Sequence, residues 1–190
     1  MEIQETIAKR RSIRRFRSSD LSIEDLKKIL ESARLAPSVN NLQPWTFVVI
    51  RDTQRKKEIL EAKKFKQPFF SNAAVLVVAL ADTQTSLEWA RQDVMTAVEH
   101  MVLTATSLGY GTCWLGDFDQ TKIRNLLNTP EKLSTVVVLA IGVPDETPNQ
   151  RPRKGFDKIF FEEEYGKTLI VNPKCFLIRN SLFLVRYSIL

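Results

Sequence analysis

Histidine and cysteine are scarce in this sequence. One histidine, His100, and two cysteines, Cys113 and Cys175, occur among the 190 residues. A single histidine is too little for a histidine-based metal site, and the two cysteines do not form the CxxC pair of a structural zinc site. We therefore expect no structural zinc or other metal, reduced thiols and a cytoplasmic protein.

Long apolar runs and glycine-rich phosphate loops are missing as well. No apolar stretch approaches the roughly 20 residues that span a bilayer, and residues 1–5 lack the basic and apolar parts of a signal peptide. Neither GxGxxG nor GxxxxGK[ST] follows a predicted strand, which argues against the common dinucleotide and nucleoside-triphosphate loops. We therefore expect no membrane contact and no Rossmann-type cofactor site.

The charge that is present is basic, with a formal net charge of +6. Either nucleic acid or an anionic small ligand could account for such an excess. Arginines concentrate at 9–17 and again at 151–154, close to glycine, proline or serine, and do not form an extended stripe. This clustering favours a small anionic ligand over nucleic acid.

Hydrophobic periodicity predicts an α+β protein of helices layered on a sheet. A long helix over 87–108 has an apolar stripe so wide that the sheet or a partner subunit should cover it on more than one side. Ser22 and Asp119 are expected to cap two further helices. Helices are predicted over 2–11, 22–36, 51–62, 87–108 and after Asp119, and strands over 45–50, 74–81 and 135–143.

Three arginines and a serine make Arg10–Arg14 the clearest candidate for a phosphate-binding segment; we call residues 10–15 the basic segment. Arginine offers a planar fork of donors that matches phosphate oxygens, and the Ser12 hydroxyl adds another donor. A helical turn would place Arg10 and Arg14 on one side. A solvated basic helix end is the alternative interpretation.

Amide side chains dominate the connection between the second helix and the first strand, residues 36–45, which we call the amide loop. Ser38, Asn40, Asn41 and Gln43 supply donors and acceptors between two prolines. They could recognise a ring edge of alternating carbonyl and N–H groups. An ordinary hydrophilic turn is the alternative.

Two weaker signals complete the set. A turn with three glycines is predicted over 109–116, where Gly109 could end the long helix and Gly111 and Gly116 would let the backbone approach a ligand. A basic loop, Arg151-Pro152-Arg153-Lys154, follows the last predicted strand. Each is unremarkable by itself, and the specificity lies in their combination.

Taken together and in this order, the four segments resemble the FMN-dependent nitroreductase family, over roughly residues 3–166. The resemblance implies a layered α+β fold with a mixed central sheet, and a homodimer with FMN at the subunit interface. It also implies NADH or NADPH as donor and nitroaromatics, quinones or related acceptors, with the redox chemistry on the flavin and no catalytic residue on the protein. The cofactor-binding residues it implies are Arg10, Arg11, Ser12, Arg14, Pro37, Ser38, Val39, Asn41, Gln43, Leu115, Gly116, Arg151 and Arg153.

Roles follow for these residues from the same resemblance. The basic segment and Arg153, with Arg151 as a further candidate, should bind the phosphate and ribityl end. Residues 37–39 should approach the flavin from the partner subunit, while Asn41 and Gln43 support the turn. Leu115 and Gly116 should lie beside the ring, where a main-chain N–H reaches N5.

For several residues outside the four segments, a structural and a functional role both stay open. His100 is expected to be a buried or interfacial polar residue, and Cys113 to line the core or the site. Phe65, Phe69 and Phe70 either cover the site or pack in the core. The apolar, basic tail 167–190 falls outside the family pattern, so we divide the chain into a domain over 1–166 and an extension that could embrace the partner.

Two further functions stay open beside the reductase. Relatives of the family include dehalogenases, azoline dehydrogenases and flavin-cleaving enzymes, most of which have additional lid segments. The short span between Ile50 and Ala74 leaves little room for a lid. A non-catalytic binder of flavin or nucleic acid is the third hypothesis.

Overall fold

The computed structural model describes residues 2–62, 70 and 72–170. The chain divides into two compact units between Asn149 and Gln150. The first unit contains the main helices and strands, and each unit is described by itself below.

Among its described residues, the first unit contains five α-helices and four strands, with a short 3₁₀ turn at Val39–Asn41. Ser22 caps α2 by accepting a hydrogen bond from the Asp25 N–H at 3.0 Å, and Asp119 caps α5 through the Lys122 N–H at 3.1 Å. Both caps confirm the sequence prediction. In chain order the elements are α1 (Ile3–Lys9), α2 (Ile23–Arg34), β1 (Trp45–Ile50), α3 (Thr53–Glu61), β2 (Val75–Asp82), α4 (Ala90–Ser107), β3 (Gly111–Leu115), α5 (Gln120–Leu127) and β4 (Leu133–Gly142).

The strands form one sheet in the order β1-β2-β4-β3. All three strand pairs are antiparallel, and Trp45 pairs with Ala81 while Leu115 pairs with Val138. The α+β class is therefore confirmed. Within the described residues, parallel pairing is limited to an isolated bridge between Ser12 and Thr112, so the mixed character expected of the sheet is confined to that bridge.

Each face of the sheet carries its own hydrophobic core. On one face α2 and α4 pack over the strands, with Ile29, Val98 and Met101 fully buried. On the other face Ile59 of α3 and Ile123 of α5 join side chains of β2, β3 and β4. Because both faces are covered, β2 is buried along almost its whole length, as its uninterrupted apolar sequence predicts.

Two sequence predictions in this region are wrong. Residues 111–115 were expected within a glycine-rich turn, but they form β3, whose backbone pairs with β4 from Gly111 opposite Gly142 onwards. The long helix begins at Ala90, not at residue 87, and the Leu87 side chain is 88% exposed. The apolar stripe therefore starts one turn later than its periodicity indicates.

The described part of the second unit contains a short 3₁₀ turn, Phe156–Lys158, and a bridge between Phe161 and Thr168. No helix within residues 2–62, 70 and 72–170 is long and apolar enough to cross a bilayer. The tail beyond residue 170, with Cys175, and the aromatic positions 65 and 69 lie outside the described residues. The predicted boundary at 166/167 stays a prediction.

Candidate functional site

The basic segment is not helical, because helix α1 ends directly before it. The helix ends at Lys9, and Arg10 has an extended conformation with ψ 130° while its N–H still bonds the Thr6 carbonyl at 2.9 Å. The Arg11 guanidinium donates to the carbonyls of Ala8 at 2.7 Å and Arg10 at 2.9 Å. The prediction that a helical turn aligns Arg10 with Arg14 is therefore wrong. Arg11 has a structural role at the helix end.

Backbone pairing with the sheet fixes the basic segment. Ser12 forms a parallel bridge with Thr112, and the Ile13 N–H donates to the Thr112 carbonyl at 2.9 Å. A few residues later Phe16 bridges Pro144 at the end of β4. The segment is extended and not helical because these tertiary partners satisfy backbone N–H and C=O groups that would otherwise be buried unpaired.

Packing adds to this pairing. Ile13 is buried against Gly111, where a Cβ atom would lie 2.7 Å from Ile13 Cγ1. Gly111 was expected to let a ligand approach the backbone. Its missing side chain instead makes room for Ile13.

A carboxylate completes the support of the basic segment. Oε1 of Glu146 accepts hydrogen bonds from the backbone N–H groups of Arg14 and Arg15, and Oε2 lies 3.5 Å from Nε of Arg15. The side chain of Arg14 is exposed. The backbone of the segment is thus held on the protein while this guanidinium faces solvent.

The amide loop is a tight turn with unusual backbone angles. Asn40, Asn41 and Gln43 have φ of 47°, 56° and 50°, in the left-handed region that non-glycine residues seldom adopt. The Ser38 hydroxyl accepts the Gln43 N–H at 2.9 Å, and the Gln43 side-chain amide donates to the Asn41 carbonyl at 3.2 Å. Ser38 and Gln43 therefore stabilise the turn, as expected for Gln43, and the exposed Asn41 contributes its carbonyl.

Helix α4 anchors this loop. The carboxylate of Asp93, in the first turn of α4, accepts the Val39 N–H at 3.2 Å and is nearly buried. On the other side of the loop, the Pro44 carbonyl accepts the Asp82 N–H at 2.8 Å. The loop is held between α4 and the end of β2, with Pro37 exposed.

The far end of β3 presents main chain. The Leu115 side chain is 1% exposed and packs in the second core, whereas Gly116 is exposed and has nothing within 4 Å of a Cβ built on it. Cys113 is buried in the same strand. Gly116 thus leaves open space beside its backbone, at the residue that follows the buried Leu115.

The basic segment and the amide loop occupy opposite edges of the sheet. The segment pairs with β3, which is one edge strand, and the loop leads into β1, which is the other. Three strand spacings of about 4.8 Å separate β1 from β3 by roughly 14 Å. The sequence-predicted residues of the first unit therefore form two groups, and one copy of the unit does not bring them together.

An acidic side chain influences the basic segment from α4. Burial raises the pKa of the Glu99 carboxyl, and the charges of Arg10 and His100 partly offset this rise. His100 is partly buried, with its Nδ1 3.1 Å from the Ser32 carbonyl oxygen. These contacts agree with the polar structural role expected of His100.

The remaining predicted residues lie elsewhere. Arg151 and Arg153 are exposed in the second unit, where the Arg153 guanidinium donates to the Arg151 carbonyl at 3.4 Å. Phe70 is buried in the second core, which favours core packing over a role as a cover of the site.

Within the described residues, no group of three histidine, cysteine or acidic side chains could hold a metal ion.

A polar cavity of about 480 Å³ lies at the carboxyl end of β1. The Lys56 ammonium in its wall is buried and donates to the Ala73 carbonyl at 2.7 Å, and burial lowers its pKa. None of the sequence-predicted site residues lines this cavity. Its lining consists of Ser18, Ser19, Asp20, Arg51, Asp52, Thr53, Lys56, Asn72, Ala73 and Ala74.

Sequence reasoning missed Asp93, Thr112 and Glu146, which position the two groups. An acid in the first turn of a helix, such as Asp93, is normally explained by the helix dipole. Glu146 lies between Pro144 and Pro148 directly after a strand, and a carboxylate in so constrained a loop is the one signal that could have identified it.

Comparison with known proteins places these features in a family. The model of the nitroreductase family matches residues 7–64 and 54–143, a span that contains the basic segment, the amide loop and β3. A candidate NADH dehydrogenase/NAD(P)H nitroreductase of Archaeoglobus fulgidus is 38% identical over 153 residues, covering 76% of this chain and 87% of the relative.

Two further similarities extend the comparison. An iodotyrosine deiodinase of Thermotoga neapolitana is 30% identical over 169 residues, covering 76% of this chain and 90% of that protein. The solved structure of an FMN-dependent nitroreductase from Clostridium difficile is 28% identical, with a TM-score of 0.77, covering 84% of this chain and 98% of the other.

Proposed function

This chain belongs to the nitroreductase family, and we propose that it is an FMN-dependent oxidoreductase that passes electrons from NADH or NADPH to a small acceptor. When bound, FMN supplies the hydride chemistry, and the protein supplies position and electrostatics. The acceptors we propose are nitroaromatics, quinones or related compounds.

The observation that carries the proposal is how the basic segment is held. Bonds to Thr112 and Glu146 occupy its backbone, while the Arg14 side chain stays exposed. A guanidinium matches the oxygens of a phosphate with its fork of donors, and a charged hydrogen bond of this kind is among the stronger polar contacts in proteins. The donors of the segment, Arg10, Ser12 and Arg14, are therefore of the kind that binds the phosphate of FMN.

The same edge of the sheet supports a site for the ring. Gly116 follows β3, the strand that pairs with the basic segment at its start. Open space beside the Gly116 backbone allows a planar group to approach its main chain. In this arrangement the main chain of Leu115 and Gly116 contacts the ring, while Arg14 binds the phosphate.

The separation of the two groups supports a homodimer. The amide loop lies at the opposite edge of the sheet from the basic segment, so a loop that contacts the same FMN belongs to a second copy. Exposed apolar side chains of α1 and α4, such as Ile3, Ile7 and Met95, supply surface that a partner can cover. Pro37, Ser38 and Val39 of that partner then complete the site, with Asn41 and Gln43 supporting the turn.

Arg153, with Arg151 as a further candidate, remains in this proposal a residue that binds the phosphate. For the extension over 167–190, which beyond residue 170 lies outside the described residues, we keep only the expectation of an arm that could embrace the partner. We retain the division into a domain over 1–166 and this extension as part of the proposal, together with a cytoplasmic location.

Reductive deiodination is a second candidate, because one relative that is 30% identical is an iodotyrosine deiodinase. It uses the same flavin and differs in the acceptor. The span between Ile50 and Ala74 is short for a lid segment, and this favours the reductase.

Spectroscopy of the purified protein tests the proposal. After incubation with FMN and gel filtration, the protein should be yellow, and anaerobic NADH or NADPH should bleach it. Adding a nitroaromatic or a quinone should restore the colour. A halotyrosine that restores it with release of halide, when the other acceptors do not, would favour the second candidate.

Two results contradict the proposal. A protein that retains no FMN after reconstitution would remove the family function. A yellow protein that neither pyridine nucleotide bleaches would favour a non-catalytic flavin binder.

A further inference from the structure

Glu146 contacts the basic segment from a distant part of the sequence. Its Oε1 accepts the N–H groups of both Arg14 and Arg15, the second at 3.1 Å, and its Oε2 lies 3.5 Å from Nε of Arg15. The side chain is 20% exposed. One carboxylate therefore bonds two consecutive backbone N–H groups and one guanidinium of the segment.

We propose that Glu146 is a positioning residue for the phosphate anchor, and that its carboxylate keeps the backbone in the conformation that presents Arg14 to the phosphate of FMN. This inference rests on the proposed function. Glu146 does not itself touch the cofactor in this arrangement, since its oxygens are engaged by the segment.

The residues around Glu146 explain why a separate support is needed at this point. Pairing with Thr112 fixes the segment at Ser12 and Ile13, and the bridge with Pro144 fixes it again at Phe16. Arg14 and Arg15, between these two points, are both exposed. Glu146 closes this gap with charge-assisted hydrogen bonds, which are stronger than neutral ones.

A competing electrostatic effect has the opposite sign. A negative carboxylate beside Arg14 disfavours an anionic phosphate, so its removal could in principle tighten FMN binding. Arg14 is exposed, and solvent weakens Coulomb interactions at such a position, whereas loss of the carboxylate leaves two N–H groups of the anchor without their acceptor. Positioning should therefore outweigh repulsion.

The neighbouring carboxylate provides a matched control. Asp145 Oδ1 lies 3.4 Å from Nε of Arg17, and its side chain is 57% exposed. The bonds that Asp145 makes to the basic segment use its main chain: its N–H donates to the Arg15 carbonyl at 2.9 Å, and its carbonyl accepts from the Arg15 guanidinium at 3.5 Å. Asp145→Asn therefore removes the same charge from the same loop and leaves the backbone contact intact.

Two flavins separate positioning of the anchor from general folding. FMN and riboflavin share the ring and differ in the phosphate, and their dissociation constants can be measured by flavin fluorescence for the wild type, Glu146→Ala, Glu146→Gln and Asp145→Asn. Glu146→Ala should weaken FMN binding at least about tenfold, the size expected when a charge-assisted hydrogen bond is lost. Riboflavin binding should change by less than about twofold, as for a remote surface substitution.

The conservative variants make the result specific. Glu146→Gln keeps one acceptor oxygen without the charge and should fall between the wild type and Glu146→Ala. Asp145→Asn should bind both flavins as the wild type does. If Glu146→Ala does not fold, Glu146→Gln decides the question by the same comparison.

Several outcomes would overturn the inference. An unchanged preference for FMN over riboflavin, an equal loss of both flavins, or tighter FMN binding by the Glu146 variants would each remove the positioning role. A wild-type protein that binds no FMN would instead contradict the proposed function itself, so the two failures are distinguishable.

Discussion

Single side chains hold the backbone of the candidate site. Glu146 bonds the N–H groups of Arg14 and Arg15, Asp93 bonds that of Val39, and Ser38 bonds that of Gln43. Each acceptor satisfies a donor in a segment with little regular structure. Hydrogen bonds from side-chain acceptors to backbone N–H groups therefore stabilise the site. The Arg14 guanidinium and the Gly116 main chain stay exposed.

The variants Arg14→Ala and Arg153→Ala test the proposed phosphate contacts. Each should weaken FMN binding about tenfold or more, because a charge-assisted contact contributes roughly 1.5–3 kcal/mol. Arg34→Ala is the control, since Arg34 pairs with Glu31 on the exposed side of α2. Unchanged affinity in either of these variants, measured by fluorescence titration, would withdraw that arginine from the proposed contacts.

Asp82 gives a prediction about pH and stability. The Lys132 ammonium, 2.7 Å from its Oδ2, and the N–H groups of Thr85 and Gln84 lower the pKa of Asp82 from 3.8 to about 2. A lowered pKa stabilises the fold above pH 3.8, and this contribution is lost as the pH falls towards about 2. Asp82→Asn should therefore lower the free energy of unfolding by about 1–2 kcal/mol at pH 7.

The difference between Asp82→Asn and the wild type should shrink as the pH falls through that window. Thermal unfolding at a series of pH values measures it. Glu131→Gln, at a site 93% exposed and 4.0 Å from Arg124, should show no comparable dependence. A difference that stays constant with pH would mean that the carboxylate charge is not the source of the stabilisation.

Among the elements, β3 connects the parts of the site. Its first residues pair with the basic segment, and its last residue precedes Gly116. The start of α4 similarly positions the amide loop through Asp93. The geometry of the site therefore depends on how β3 and α4 pack on the sheet.

Gly111→Ala tests the contact between β3 and the basic segment. A Cβ there would lie 2.7 Å from Cγ1 and 2.8 Å from Cβ of Ile13, so the segment must move and stability should fall by about 1–3 kcal/mol. Gly116→Ala meets nothing within 4 Å and should be close to neutral in urea unfolding of the FMN-free protein. Equal stability of the two variants would contradict this packing.

The sequence predicts the elements whose signals are local. β1 spans Trp45–Ile50 as its apolar run indicates, and the caps at Ser22 and Asp119 form as expected. β3 was missed because Gly111 and Gly116 suggest a turn, while its pairing with β4 depends on residues more than twenty positions away. The extended path of Arg10–Arg15 has the same origin, since non-local partners replace the helical bonds that its spacing favours.

For the candidate site, residue types are more predictable from sequence than the side chains that position them. The arginines and amides stand out by composition and spacing. Asp93 and Glu146 act through contacts to backbone that lies 54 and 132 positions away. The prolines on either side of Glu146 indicate a constrained loop, but no local pattern identifies the distant partner of either carboxylate.

The strand order of the sheet determines how far apart the two groups of site residues lie. The order β1-β2-β4-β3 places the amide loop and the basic segment at opposite edges, which is why we propose that one FMN site uses two chains. In the proposed homodimer, two-fold symmetry would give two equivalent sites, each combining the basic segment of one subunit with the amide loop of the other.

Mixed dimers test this central claim most directly. One chain carries Arg14→Ala and the other carries Ser38→Ala with Asn41→Ala; the two are co-expressed with different tags, and the mixed dimer is isolated by sequential affinity steps. Each parent homodimer should bind FMN weakly. The mixed dimer should bind one FMN with the affinity of the wild type, because one of its two sites receives both intact parts. A mixed dimer without a high-affinity site, or an FMN-loaded protein that sediments as a monomer, would contradict a site shared between subunits.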